Sequence, residues 1–209
     1  MDGKMVEIPK PTKFRYFAKR YDLEWLLFNR FHKAASVRGF LTPKEFFTVV
    51  SWRADLTKDL IKKSNVKLRE KIRAATRDVL DDGVTKTLRE KLERLLQIRG
   101  VGIPVASAVL AVCFPDRYAV LDPRAWHFLY KWSKKGQLNR QWGSIKHKTV
   151  STDKNQALRD YLNYNRILSR LADYALEDLP RSKRLRNLNK ALWAFESEMK
   201  MRRFLRGLK

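Results

Sequence analysis

The stretch Leu92–Tyr130, LERLLQIRGVGIPVASAVLAVCFPDRYAVLDPRAWHFLY, decides how this chain folds. Leu88, Leu92, Leu95 and Leu96 recur at three- and four-residue intervals, the period of an amphipathic helix. Gly100-Val101-Gly102 interrupts it, and glycine tolerates the positive φ and close backbone approach that a tight corner between helices needs. Pro104 suits the first turn of the next helix, where no amide proton is required of it. That helix is rich in small and apolar residues: Val105, Ala106, Ala108, Val109 and Leu110. Phe114-Pro115-Asp116-Arg117-Tyr118 ends it, and Ala119-Val120-Leu121 leads to Asp122-Pro123, an N-cap followed by a proline at the first helical position. Trp126 and Tyr130 then fall four and eight residues beyond Asp122, along one helical face.

Outward from this core the pattern stays helical. On the N-terminal side, Phe14 to about Val37 carries Trp25, Phe28 and His32 at helical spacing, with Gly39 as its stop. Thr42-Pro43-Lys44-Glu45 reads as a capped start, opening a helix with Phe46, Phe47, Val49, Val50 and Trp52. Asp55 and Asn65 are possible starts of two further helices, and Asp81-Asp82-Gly83 is a turn. Residues 1–12, with Pro9 and Pro11, read as a flexible lead-in. On the C-terminal side, residues 133–153 are polar and basic and read as a long loop, followed by helices near 155–176 and 180–205. There is no repeat of fixed period and no convincing strand. The expected fold is all-α, with residues 13–209 as a single globular unit of two interleaved helical lobes.

The chain has 209 residues, 46 Lys+Arg against 22 Asp+Glu, and a formal net charge of +24. With 44% hydrophobic and 11% aromatic residues it can build a core, so it is not a disordered polycation. Only 8 Gly and 7 Pro leave few turn-makers for a many-stranded sheet. A single cysteine, Cys113, excludes an intrachain disulfide framework and a four-thiolate metal or iron–sulfur site. The longest uncharged apolar run, Val105 to Phe114, is half the roughly 20 residues that span a bilayer. Met1-Asp2-Gly3-Lys4 lacks the apolar core of a signal peptide, so an intracellular, cytoplasmic or nucleoid-associated protein with no membrane partner is expected. The excess charge concentrates in two segments. Lys131–Val150 has six Lys/Arg and no acid, and Pro180–Lys209 has ten against Glu196 and Glu198. Nucleic acid, the common intracellular polyanion, is the expected partner, against a merely solvated face, a membrane surface or an acidic protein.

The 92–130 stretch resembles the helix-hairpin-helix DNA glycosylase superfamily, whose signature is this hairpin, a Gly/Pro-bearing loop and an aspartate. Leu95, Ile98, Gly100, Val101, Gly102, Ala106, Leu110, Pro115, Val120 and Asp122 carry the likeness. Asp122 lies 22 positions beyond Gly100, the spacing of the endonuclease III and adenine-glycosylase branches, and Leu121-Asp122 matches the dipeptide of the latter. About 40 residues are covered; outside them only the helical pattern and the basic charge agree. The resemblance implies a two-lobed helical fold with its active site in the cleft between lobes. It implies a hairpin that grips phosphates through backbone groups of Gly100, Gly102, Ile103 and Val105, and that can hold a monovalent cation. No other cofactor or metal is expected, and a monomer acting on lesion-bearing double-stranded DNA is.

A damaged nucleotide would be rotated out of the duplex, because its glycosidic bond is out of reach while stacked. A fixed carboxylate beside the sugar complements the positive charge that develops as that bond breaks, and Asp122 is the candidate. A helix cap alone would also explain Asp122-Pro123, and the two roles are compatible. The bifunctional branches place a lysine four residues after the first hairpin glycine; here that residue is Pro104, so water is the expected nucleophile and no Schiff-base lyase step is supported. An alkylated or deaminated purine is the expected target. Trp126 and Tyr130 are candidate pocket walls or core residues. Trp52 is a candidate duplex plug or a core tryptophan, and Arg124 a phosphate contact or a partner of a surface acid. His32 and His127 suggest no metal, and His147 at most a phosphate contact. The second reading is a non-catalytic DNA-binding or DNA-structure-recognising protein that shares the hairpin; an RNA-directed enzyme is a third.

Overall fold

The computed structural model describes residues 23–53, 65–136, 138 and 142–207, with side chains described to Glu196. The lead-in at 1–12 and the helix start at Asp55 lie outside the described residues. Eight helices and no strand are present among the described residues. They are α1 (Leu23–Trp25, continued by a π-helical stretch Leu26–Phe31 and then His32–Arg38), α2 (Pro43–Arg53), α3 (Val66–Leu80), α4 (Leu88–Leu96), α5 (Ile103–Cys113), α6 (Pro123–Lys134), α7 (Lys154–Ala175) and α8 (Arg181–Gly207). The fold is all-α.

Local chemistry sets most of the boundaries. Gly39, at φ +77°, closes α1. Thr42 and Glu45 form the expected cap, the Glu45 carboxylate accepting from the Thr42 amide at 2.8 Å. Asn65 caps α3 through the Leu68 amide, and the Asp81 carboxylate accepts from the Gly83 amide at 2.8 Å in the turn that follows. Thr87 and Glu90 make a reciprocal box that starts α4 at Leu88, the first of the periodic leucines. Gly100 takes φ +82° at the corner between α4 and α5, and Gly102 is the extended N-cap of α5.

Helix α5 is the hub. It is apolar all round, every residue but Pro104 is buried, and it packs against α1, α2, α4 and α7. Burial pushes the Cys113 thiol up to about 12, so it behaves as a small hydrophobe. His32 satisfies the Cys113 carbonyl at the end of α5 from 3.0 Å, which is what that histidine does. On the far side α8 packs against both α6 and α7. Lys91, wholly buried on α4, donates to Val79 O, Asp82 Oδ1 and Thr85 Oγ1, tying the end of α3 to the turn.

The segment between α6 and α7 is a loop, as its composition suggests, but not simply a solvated one. Leu138 and Ile145 are buried in it. The Ile145 amide donates to Ser133 Oγ at 2.9 Å, and the Ser151 amide to Asp160 at 3.1 Å. The His147 carbonyl makes a second contact with α6, accepting from Trp126 Nε1 at 3.0 Å.

Candidate active-site cleft

The non-helical run Ala119–Leu121 crosses the interior with no neighbouring strand to bond to. Buried backbone groups need partners, and here side chains from four helices supply all six. Ala119 donates to Asn165 Oδ1 (2.8 Å) and accepts from Tyr161 OH (2.8 Å). Val120 donates to Asn189 Oδ1 (3.0 Å) and accepts from Tyr164 OH (3.1 Å). Leu121 donates to Ser107 Oγ (2.9 Å) and accepts from Arg53 Nη2 (2.6 Å). Asn189 Nδ2 also donates to Tyr164 OH, and Ser107 Oγ donates to Pro104 O in the first turn of α5. The glycine corner and the chain entering Asp122 are therefore joined through one hydroxyl.

Asp122 follows directly, in extended conformation at φ −108° and ψ 131°. Its Oδ1 accepts from the Arg124 amide at 2.7 Å and, more loosely, from the Ala125 amide at 3.4 Å, capping α6. Oδ2 takes no hydrogen bond, and no cation lies within ion-pair distance of the carboxylate, among the described residues. The side chain is half-buried and lines a cleft of about 570 Å³ between α1, α2, α6 and α8, within the range of small-molecule sites. Burial first, and the nearby Asp122 charge second, hold the Tyr164 hydroxyl proton in place beneath it.

Two tryptophans face the cleft, Trp52 and Trp193. Trp52 is half-buried, edge-on to Phe28 at 5.7 Å, while Trp193 is 45% exposed with the Arg124 guanidinium 5.0 Å over its ring. Arg53, Arg124, Arg186 and Lys190 add positive charge. Arg186 is held by Glu24 in a two-point pair of 2.8 and 2.6 Å, with Lys190 3.5 Å from the same carboxylate. Burial works to raise the Glu24 pKa, but these two cations outweigh it and hold it below the ordinary value. Arg53 Nε is buried without a hydrogen-bond partner among the described residues.

Compared with protein-family models, curated proteins and solved structures, the chain matches none.

Of the residues singled out from sequence, the cleft gathers Asp122, Arg124 and Trp52. It does not gather Trp126 or Tyr130. Trp126 is 2% exposed and stacks on Tyr164 at 6.0 Å, a core position. Tyr130 is half-buried against the core, with Lys134 5.9 Å over its ring. The physical reason is the cap: Asp122 stands outside the helix and folds its carboxylate back over the first turn, while the Trp126 face turns toward α7. Gly100 and Gly102 are exposed at the corner, and Ile103 and Val105 are buried by their side chains at the first turn of α5. Sequence reading missed Arg53, Arg186 and Trp193 in the cleft, and Ser107, Tyr161, Tyr164, Asn165 and Asn189 beneath it. Among the described residues no cluster of His, Cys, Asp and Glu could hold a metal ion, and no helix is long and apolar enough to cross a membrane.

Proposed function

We propose that the protein is a monofunctional DNA glycosylase of the helix-hairpin-helix type, hydrolysing the N-glycosidic bond of a flipped-out damaged base. The observation that carries this reading is the Asp122 carboxylate: one oxygen fixed by the α6 amides, the other without a hydrogen bond in a tryptophan-walled cationic cleft. As the C1′–N bond lengthens, its electron pair leaves with the base and positive charge spreads over C1′ and the ring oxygen. Oδ2 is the group that stabilises this charge and accepts a proton from the water that adds to C1′. The six hydrogen bonds behind Asp122 support the reading, because a charge held in place before the reaction needs no reorganisation during it.

Trp52 and Trp193 would flank the extruded base, replacing Trp126 and Tyr130 in that role. Arg53, Arg124 and Lys190 would meet the phosphates of the distorted strand, and the exposed Gly100–Gly102 corner a phosphate further along it. In this reading the helices before and after α5 are the two lobes, and the protein acts as a monomer that requires no cofactor, with a monovalent cation held at the corner. Pro104 stands where a Schiff-base lysine would be needed, so the product is a free base and an intact abasic strand.

The test is mass-spectrometric detection of bases released from duplexes carrying alkylated and deaminated purines. Release of at least one base by the wild type, with no adduct trapped by borohydride, is expected. Absence of release from the whole panel, with duplex binding intact, would leave a DNA-binding protein without this chemistry.

A further inference from the structure

We propose that a second cavity, between the 142–148 loop and α7, binds a phosphate-bearing ligand; this does not depend on the role of Asp122. The cavity has a volume of about 390 Å³, and Lys146, Arg159 and Arg166 stand around it. What distinguishes these cations is how they are held. Arg159 donates through Nε and Nη2 to the Gln156 side-chain oxygen at 3.1 and 2.8 Å. Arg166 Nη2 donates to Asn163 Oδ1 at 2.8 Å, and Asn163 Nδ2 in turn donates to the Ser144 carbonyl, closing the loop onto the helix.

Arg94 and Arg186, by contrast, are held by acids, Asp78 and Glu24, which cancel their charge. Around this cavity neutral amides orient the guanidinium groups, so their charge is directed but not cancelled. None of the three cations forms an ion pair among the described residues. The local acid, Asp160, is buried and occupied by the Ser151 amide and Gln156 Nε2. Gly143 makes the approach of the loop possible. It sits at φ +109°, and a Cβ there would come within 3.0 Å of Arg166 Nη2.

Two oriented guanidinium groups seven residues apart on one helix, about 10 Å along its axis, with a lysine opposite them, suit a phosphate-bearing ligand that reaches along the helix rather than a single bare phosphate. The cavity is larger than a bare phosphate fills, so the group is carried on something: a free nucleotide or the backbone of a nucleic-acid strand.

The test is calorimetric titration of the wild-type chain with dAMP and, separately, with a thymidine hexanucleotide lacking terminal phosphates. Binding of dAMP identifies a mononucleotide site, and binding of the hexanucleotide alone identifies a strand contact. In either case the double variant Arg159→Gln/Arg166→Gln, checked for an unchanged melting temperature, is expected to bind about ten-fold or more weakly. Lys71→Gln/Arg73→Gln, which removes the same charge from the exposed side of α3, is expected to stay within about two-fold of wild type. Failure of both ligands to bind, or equal losses in the two double variants, would overturn the proposal.

Discussion

In the cleft, Arg186 is neutralised by Glu24, and the acid Asp122 has no cation within ion-pair distance among the described residues. In the loop–α7 cavity the reverse holds: among the described residues Arg159 and Arg166 have no carboxylate partner, and the acid Asp160 is taken up by amide donors. The same net-basic chain thus builds one place that exposes an organised negative charge and another that exposes organised positive charges. Total charge, at +24, says only that polyanions will be attracted. The pairing pattern says what each cavity can do: the first suits charge that develops positively during a reaction, the second a resident anion.

The two places also differ in depth. The cleft is anchored in the core by Ser107, Tyr161, Tyr164, Asn165 and Asn189, all buried, whereas Arg159 and Arg166 are tethered at the surface. The largest stability effect should therefore come from Asn189→Leu, which strips partners from the Val120 amide and from Tyr164. With about 1–3 kcal/mol for each buried polar group left unpaired, a loss of roughly 2–4 kcal/mol in denaturant unfolding is expected. Arg159→Gln, which removes an exposed guanidinium tethered only to Gln156, should cost under about 1 kcal/mol. Equal costs would erase the distinction between a core-built and a surface-built site.

Next in size is the dissection of Asp122. Asparagine caps a helix as well as aspartate, so Asp122→Asn should leave the melting temperature nearly unchanged, while Asp122→Ala should cost about 1 kcal/mol through the lost cap. A large destabilisation by Asn would mean that the charge itself supports the fold.

The smallest effect is one of pH, at the α6–α8 seam beside the cleft. Glu196 is buried, which works to raise its pKa, but hydrogen bonds and charge from Lys131 at 2.8 Å and His127 at 2.9 Å outweigh burial and lower it. A depressed carboxylate stabilises the fold fully above its unfolded pKa, about 4.3, and progressively less as pH falls through the folded value. Wild type should thus lose its advantage over Glu196→Gln on acidification below about pH 4. A gap between their melting temperatures that does not narrow at all on acidification would show that the Glu196 charge contributes nothing to stability.

Much of the fold was readable because helix ends are local chemistry: Thr42 with Glu45, Asn65, Gly39, and Asp122 with Pro123 each report on residues within one turn. The π stretch at Leu26–Phe31 had no such marker. Asp122 could be singled out by its cap position and its spacing from Gly100. Its surroundings could not, since Asn165 and Asn189 are 46 and 69 residues from the amides they hold. A faint signal existed in Tyr161, Tyr164 and Asn165, polar-tipped residues at i, i+3 and i+4 inside the buried stripe of α7. Trp126 and Tyr130 show the limit of that geometry. Helical spacing says which residues share a face, but not which neighbour the face meets.

The most direct measurement is single-turnover base release by wild type and Asp122→Asn, with duplex affinity measured on the same preparations. A rate at least about 100-fold lower for the variant at unchanged affinity is predicted for a carboxylate that acts on the developing charge. Release by Asp122→Asn at the wild-type rate would contradict the account.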